Sequence, residues 1–516
     1  MKNIQRTLVL GCSIVALAGC GADEIVSPGA TGNIDVTINN PPAPTPTPTP
    51  TQTLVTPASS CPQIRSTGGL LDTGTISGPT GEYRVCQLPD EFDADDNLPQ
   101  IDGLVYRIFG QVSVGTDLGF SPTAGEANIE LSIEPGVILI AAERSFFVVQ
   151  RGHTIAADGT ASNPIIWTST DNLRGLTTDE SQGQWGGVVL LGRAPVSDCR
   201  TGGANTPTNP NPTCDQELEG TDLVTLFGGD NSGDSSGSLT FNQIRFSGFE
   251  LATDNELQSL TTGGIGSGTT INNILSFNSS DDGIEFFGGE FDANNVAVIG
   301  ASDDSIDSDT GAIVNLDTVV VAQRASTGDH MIELDSEDDA DNPATAIPRS
   351  VLQVNNFTFL QGAGRDTAVR VRGDAALGLT NGVLSIQRTS DTCFFIETNS
   401  TIDQIIGFNS IVGNCGTDPF RVNTGASEAG IQAEIDADAN NDIDFTLSLT
   451  SGFVNGANEA AVTPFDPTAR SSFFSARAFI GAEDDNIADN FGDWTCNSAT
   501  LDFGSASGAC TSLPGA

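Results

Sequence analysis

The chain has 516 residues and a formal charge of −47, from 67 acidic and 20 basic residues. So strong a negative charge excludes nucleic acid and anionic membrane surfaces as binding partners, because long-range repulsion opposes both. Lys2 is the only lysine, so Schiff-base and lysine general-base chemistry are excluded from any chain processed beyond it.

Met1-Lys2-Asn3-Ile4-Gln5-Arg6 precedes an apolar run from Leu8 to Ala18 that is too short to span a bilayer and reads as a secretory signal over residues 1–19. The run ends in Leu17-Ala18-Gly19-Cys20, which is similar to a bacterial lipobox. That similarity implies cleavage before Cys20 and lipid attachment to it, and Gly21 in place of Asp implies the outer membrane. Residues 20–60 then read as lipid anchor and linker. The Pro/Thr alternation from Pro41 to Thr53 predicts a disordered, polyproline-like stalk, extended at ~3.1 Å per residue.

Of the 10 cysteines, Cys12 leaves with the signal and Cys20 takes the lipid. The others fall into local pairs, Cys61 with Cys86, Cys199 with Cys214, Cys393 with Cys415 and Cys496 with Cys510, as expected of an exported protein. Each would contribute about 3 kcal/mol by closing a short loop. No Cys/His spacing fits zinc.

Residues 61–516 read as one all-β domain with its capping regions. Short runs rich in Val, Ile, Leu and Phe alternate with Gly, Asn, Asp and Thr, among them Val137-Ile138-Leu139-Ile140, Phe146-Phe147-Val148-Val149 and Pro164-Ile165-Ile166-Trp167. An amphipathic helix of three turns is not apparent. One motif returns: Asp281-Asp282-Gly283-Ile284-Glu285, Asp303-Asp304-Ser305-Ile306-Asp307 and Asp329-His330-Met331-Ile332-Glu333. The separations, 22 and then 26 residues, match one coil of a solenoid, whereas a sandwich or open barrel predicts no such return. The fold expected is a single right-handed parallel β-helix.

In such a solenoid equivalent residues stack at roughly 4.8 Å. Ile284, Ile306 and Ile332 would form an inward ladder, and Glu285, Asp307 and Glu333 an outward acidic column. Carboxylates that close cannot all ionise without a counter-charge. Ca²⁺ is the expected occupant, with Asp281, Asp282, Glu285, Asp303, Asp304, Asp307, Asp309 and Glu333 as candidate ligands, since it takes six to eight oxygens. Three further acidic loops, Asp93–Asn97, Glu337–Asp341 and Asp436–Asp442, resemble Ca²⁺ loops without completing an EF-hand. In later coils the motif position passes to Arg370, with Arg372 beside it, and then to Phe395. His330, Arg370 and Arg372 are therefore candidates for a face that binds an anionic or carbohydrate ligand. His153 is expected at a surface corner.

Leu131-Ser132-Ile133-Glu134-Pro135-Gly136, Gln184-Trp185-Gly186-Gly187-Val188-Val189-Leu190-Leu191-Gly192 and Asp281-Asp282-Gly283-Ile284-Glu285-Phe286-Phe287-Gly288-Gly289 resemble a group of bacterial surface lipoproteins. The resemblance covers about residues 104 to 496. It implies a right-handed parallel β-helix, a lipid-anchored cell-surface address, and a TonB-dependent receptor as partner. The expected role is a ligand-binding or accessory module for a glycan, siderophore-like or other small-molecule ligand. A Ca²⁺-dependent polysaccharide lyase or glycoside hydrolase is the enzymatic alternative, and an adhesin the structural one. Against catalysis stand the missing Gly-His-Gly after the paired aspartates, the missing Arg-Ile-Lys, and the absence of a uronate-binding lysine.

Overall fold

The computed structural model describes residues 54–218, 221, 224–252, 255–336, 345–362, 367–387, 391–484 and 490–514. The signal, Cys20, the Pro/Thr run and the Glu337–Asp341 loop lie outside these residues.

The chain is a single right-handed parallel β-helix, the handedness that parallel crossovers adopt. Among the described residues, successive coils place strands on two long sheets, one of 15 strands and one of 11. An antiparallel hairpin, Leu71–Gly78 with Gly81–Gln87, closes the N-terminal end. Val55 already bridges Gly81, so the folded unit begins before Cys61. At the other end the helix Glu428–Asp436 inserts Ile431 and Ile435 into the core.

The four expected disulfides are present. Cys393–Cys415 ties the strand Thr392–Ile396 of the smaller sheet to the chain just after the strand Gly407–Gly413 of the larger one.

The interior is built from ladders. Ile284 pairs with Ile306, and Ile332 continues through Val369, Phe394 and Phe420, all within one core cluster. The long strands of the larger sheet bend at one left-handed residue each: Asn273, Asn295, Thr318, Asn356, Asn381 and Ser410 have φ between 49° and 66°. Asn tolerates this conformation better than most side chains do.

Apolar runs such as Val296-Ala297-Val298-Ile299 and Val319-Val320-Val321-Ala322 do not alternate with polar residues, because both sheet faces are buried there. Val296 and Val298 face the core, while Ala297, Ile299, Val320 and Ala322 pack under the C-terminal segment with Phe453, Phe491 and Trp494. That segment runs back along the solenoid. Asp442 bridges Val412 near its start, and Leu513 packs with Tyr83 and Val85 of the N-terminal hairpin near its end.

Corner amides hold the segment in place. Asn356 Nδ2 donates to the carbonyls of Phe479 and Gly481 at 2.9 and 3.0 Å. Arg245, wholly enclosed, donates to the carbonyls of Cys510 and Ser512 at 3.0 Å. No described helix is long and apolar enough to cross a membrane.

Because Trp494 is 2% exposed at the centre of this outer cluster, Trp494→Ala is expected to destabilise the fold by about 3–5 kcal/mol. Denaturant unfolding checks this; a change below about 1 kcal/mol would mean the segment is dispensable.

Candidate functional site

The acidic motifs lie on the smaller sheet, in the strands Ile284–Phe287, Ile306–Asp309 and Ile332–Leu334 and the turns before them. Glu285 pairs in register with Asp307, and Asp307 with Glu333. The outward column continues through Arg370, Phe395 and Arg421.

The turn acids are tied to the coil that follows them. Asp304 N–H donates to Asp282 Oδ1 at 2.8 Å, and His330 N–H donates to Asp304 Oδ1 at 2.5 Å. His330 thus stands where the two earlier coils carry a second aspartate. Gly283 is required by close approach: a Cβ there would meet the Val298 side chain at 2.2 Å and the Ser305 carbonyl oxygen at 2.6 Å.

The column divides into two halves. In the later half the protein supplies its own cations. Glu333 lies 3.2 Å from both Arg370 and Arg372 and 3.5 Å from His330, and His330 Nδ1 is 3.0 Å from Asp304. Arg370 also pairs with Glu397 at 2.7 Å, and Arg372 with Asp335 at 2.7 Å. Burial opposes ionisation of Glu333, but His330, Asp304 and the two arginines outweigh it and hold the carboxyl at about 2. Burial likewise opposes charge on His330, and Asp304 and Glu333 reverse that, raising it to about 10.

In the earlier half that relief is weaker, reaching Asp309 from Arg372 and Asp303 from His330 only at a distance. Among the described residues, Asp281, Asp282, Glu285, Asp303, Asp307 and Asp309 form no ion pair. Burial, and then the neighbouring acids, push Asp282, Glu285 and Asp307 well above the usual carboxylate range. Burial raises Asp281 to about 6 and Asp304 to about 7, and raises Asp303 and Asp309 as well.

The eight expected metal ligands therefore do not form one cluster. Oxygens of Asp282, Glu285 and Asp307 lie within 4.8 Å of one another, as do those of Asp281, Asp282 and Asp303. Asp304 groups instead with Asp329 and His330. Glu333 is a correction to the sequence reading, because Arg370, Arg372 and His330 already neutralise it. Asp309 joins none of these groups and accepts from the adjacent Thr310 N–H.

Two of the other acidic loops use carboxylates as backbone acceptors. Asp96 takes the N–H groups of Arg65 and Ser66, and Asp438 those of Ser410 and Asn440.

His153 is also corrected: it is 2% exposed, accepts from Ile129 N–H and contacts the Thr116 carbonyl. A neighbouring Gly had suggested a corner, but the loops of residues 116–129 cover it.

At the far end of the column Phe395 lies between two guanidinium groups, Arg370 at 5.5 Å and Arg421 at 4.4 Å from its ring centroid. Arg421 is exposed and, among the described residues, forms no ion pair. Arg421 and Glu397 were missed from sequence. The coil spacing could have found Arg421, which follows Phe395 after 26 residues, as Phe395 follows Arg370 after 25.

A model of the pectate-lyase-like β-helix domain matches residues 121–460, and the chain belongs to that family. Nothing matches it among curated proteins or among solved structures.

Raised acids bind more protons in the folded state, so their contribution is present at low pH and is lost as pH rises through about 6 to 7 for Asp281 and Asp304. His330, raised to about 10, acts in the same direction above its unfolded value. In EDTA, thermal stability is therefore expected to fall from about pH 5 to about pH 8. A melting temperature that rises across this range would contradict these protonation states.

Proposed function

We propose that the protein is an outer-membrane lipoprotein, tethered through Cys20, that works at the cell surface as a binding module for an anionic polysaccharide rather than as an enzyme. The observation that carries this reading is the arginine end of the outward column. Arg421, stacked on Phe395 beside Arg370, is an exposed cation without a carboxylate partner among the described residues of a chain rich in acids. A guanidinium offers a planar fork of donors to a carboxylate or sulfate, and its stacking on an aromatic ring reduces the rotamer freedom lost on binding. Repeated coils give a rigid, extended surface suited to a polymer, and a polyuronate, with about one charge per sugar, meets less of the long-range repulsion that excludes nucleic acid while the local arginines supply the attraction.

Membership of the pectate-lyase-like β-helix family supports a polysaccharide-related or surface role. His330 is 6% exposed and held between Asp304 and Glu333, which favours a structural role for it over that of a free general base. A TonB-dependent receptor is the proposed partner, on the resemblance to surface lipoproteins. Co-purification from solubilised outer membranes tests that partnership, and failure to recover a receptor would remove it.

Two outcomes are expected. Cys20→Ser should move the protein from the membrane fraction to the soluble fraction, as immunoblotting would show; retention in the membrane would refute the anchor. A polyuronate should bind in preference to a neutral glucan, and Arg421→Ala should weaken that binding about tenfold with the fold intact. Equal binding of both polymers, measured by titration calorimetry, would sink the polysaccharide reading.

A further inference from the structure

We propose that residues 116–129 form an acid-released strap, hooked at both ends by the imidazole of His153, a device that does not depend on the polysaccharide reading. The strap leaves the strand Gln111–Val114 and returns to the strand Glu130–Ile133. It contains no helix or strand of its own, so a few contacts hold it in place.

His153 makes two of them. Ile129 N–H donates to Nδ1 at 2.9 Å, and Nε2 lies 2.8 Å from the Thr116 carbonyl oxygen. A backbone N–H can only donate, so Nδ1 is bare, and Nε2 carries the proton that the Thr116 carbonyl accepts. One neutral tautomer therefore satisfies both ends of the strap together. Two backbone bonds flank this clasp: Leu118 N–H donates to the Arg151 carbonyl at 3.1 Å, and Thr154 N–H to the Ile129 carbonyl at 2.9 Å.

An imidazolium does not fit the same place. With a proton on both nitrogens, Nδ1–H would face Ile129 N–H, donor against donor. The ring has little room to turn away, since it is 2% exposed and a Cβ on Gly115 would meet it at 2.3 to 2.5 Å. The charged groups around it are Glu91, Asp117 and Arg193. Burial outweighs the Thr116 carbonyl and the two acids, and with Arg193 it holds the imidazole below its ordinary value. A histidine depressed in this way stabilises the closed strap above its unperturbed value of about 6.5, and that contribution is lost as the pH falls.

Ion pairs hold the rest of the strap. Asp117 pairs with Arg151 at 2.7 Å, and Glu126 with Arg193 at 2.7 Å. The Arg193 guanidinium holds the Glu126 carboxyl at about 2, so this pair outlasts the clasp as the pH falls. Acid thus frees the ends of the strap while Glu126 keeps it attached. What it uncovers is the turn of residues 151–154, with a charged imidazole in place of a buried neutral one.

The test is hydrogen–deuterium exchange of the full chain from pH 7.5 to pH 4.5, read on the strap and corrected for the intrinsic exchange rate. Opening of the strap is expected to become more frequent by up to about tenfold for each pH unit below about 6.5, while the strand Val351–Leu360 keeps its protection. In His153→Gln, which cannot ionise, exchange of the strap should no longer vary with pH. Equal protection of the wild-type strap at pH 4.5 and pH 7.5 overturns the proposal, as does an unchanged pH dependence in His153→Gln. Should that variant fail to fold, the imidazole is titrated by NMR in the wild type, where His330, raised to about 10, stays protonated throughout. The one titrating histidine must then change charge over the same pH range in which the strap opens, and a mismatch sinks the idea.

Discussion

The parallel register between coils is the constraint from which most of this molecule follows. Strands on one sheet lie roughly 4.8 Å apart, so a residue is always beside its equivalents in the coils before and after. For Ile284, Ile306 and Ile332 that proximity is favourable, and it builds a continuous core from short runs. For Glu285, Asp307 and Glu333 the same proximity brings like charges together. One geometric rule produces both the stability of the interior and the electrostatic tension of the surface.

That tension is relieved differently along the column. Where Arg370 and Arg372 follow Glu333, the register converts repulsion into ion pairs. Such pairs, partly shielded from water, hold Glu333 ionised and His330 protonated. One and two coils earlier, the strand positions before Glu333 are Asp307 and Glu285, and every large electrostatic influence on Asp282 and Glu285 is another acid. A change of one residue type between neighbouring coils thus separates a self-neutralised surface from one whose acids have no ion-pair partner among the described residues.

The outer face of the larger sheet has the converse problem, too much apolar surface. Ala297, Ile299, Val320 and Ala322 point away from the solenoid interior and would be exposed in a bare β-helix. The C-terminal segment covers them along the solenoid and reaches the N-terminal hairpin. Asn356 and Arg245 fix its path through backbone carbonyls, so the contact depends on the shape of the segment more than on its side chains. The two ends of the folded chain are thereby linked, which couples early coils to late ones in a fold whose contacts are otherwise between neighbours.

The class of fold, the coil length, the four disulfides and the acidic column were all legible in the sequence. Each depends on a local pattern, a repeat spacing or a pairing at short range, and backbone hydrogen bonding in a solenoid turns sequence period directly into spatial register. Even the passage from Glu333 to Arg370 to Phe395 could be read this way. What the tertiary structure alone decided was which of the stacked acids are satisfied. The division between Glu333 and Glu285 depends on which neighbours reach across coils of unequal length, and the burial of His153 on loops that fold over it from outside the repeat. The covering of the outer face by residues far away in the chain is of the same kind. Long-range side-chain contacts carry no period, so no spacing in the sequence announces them.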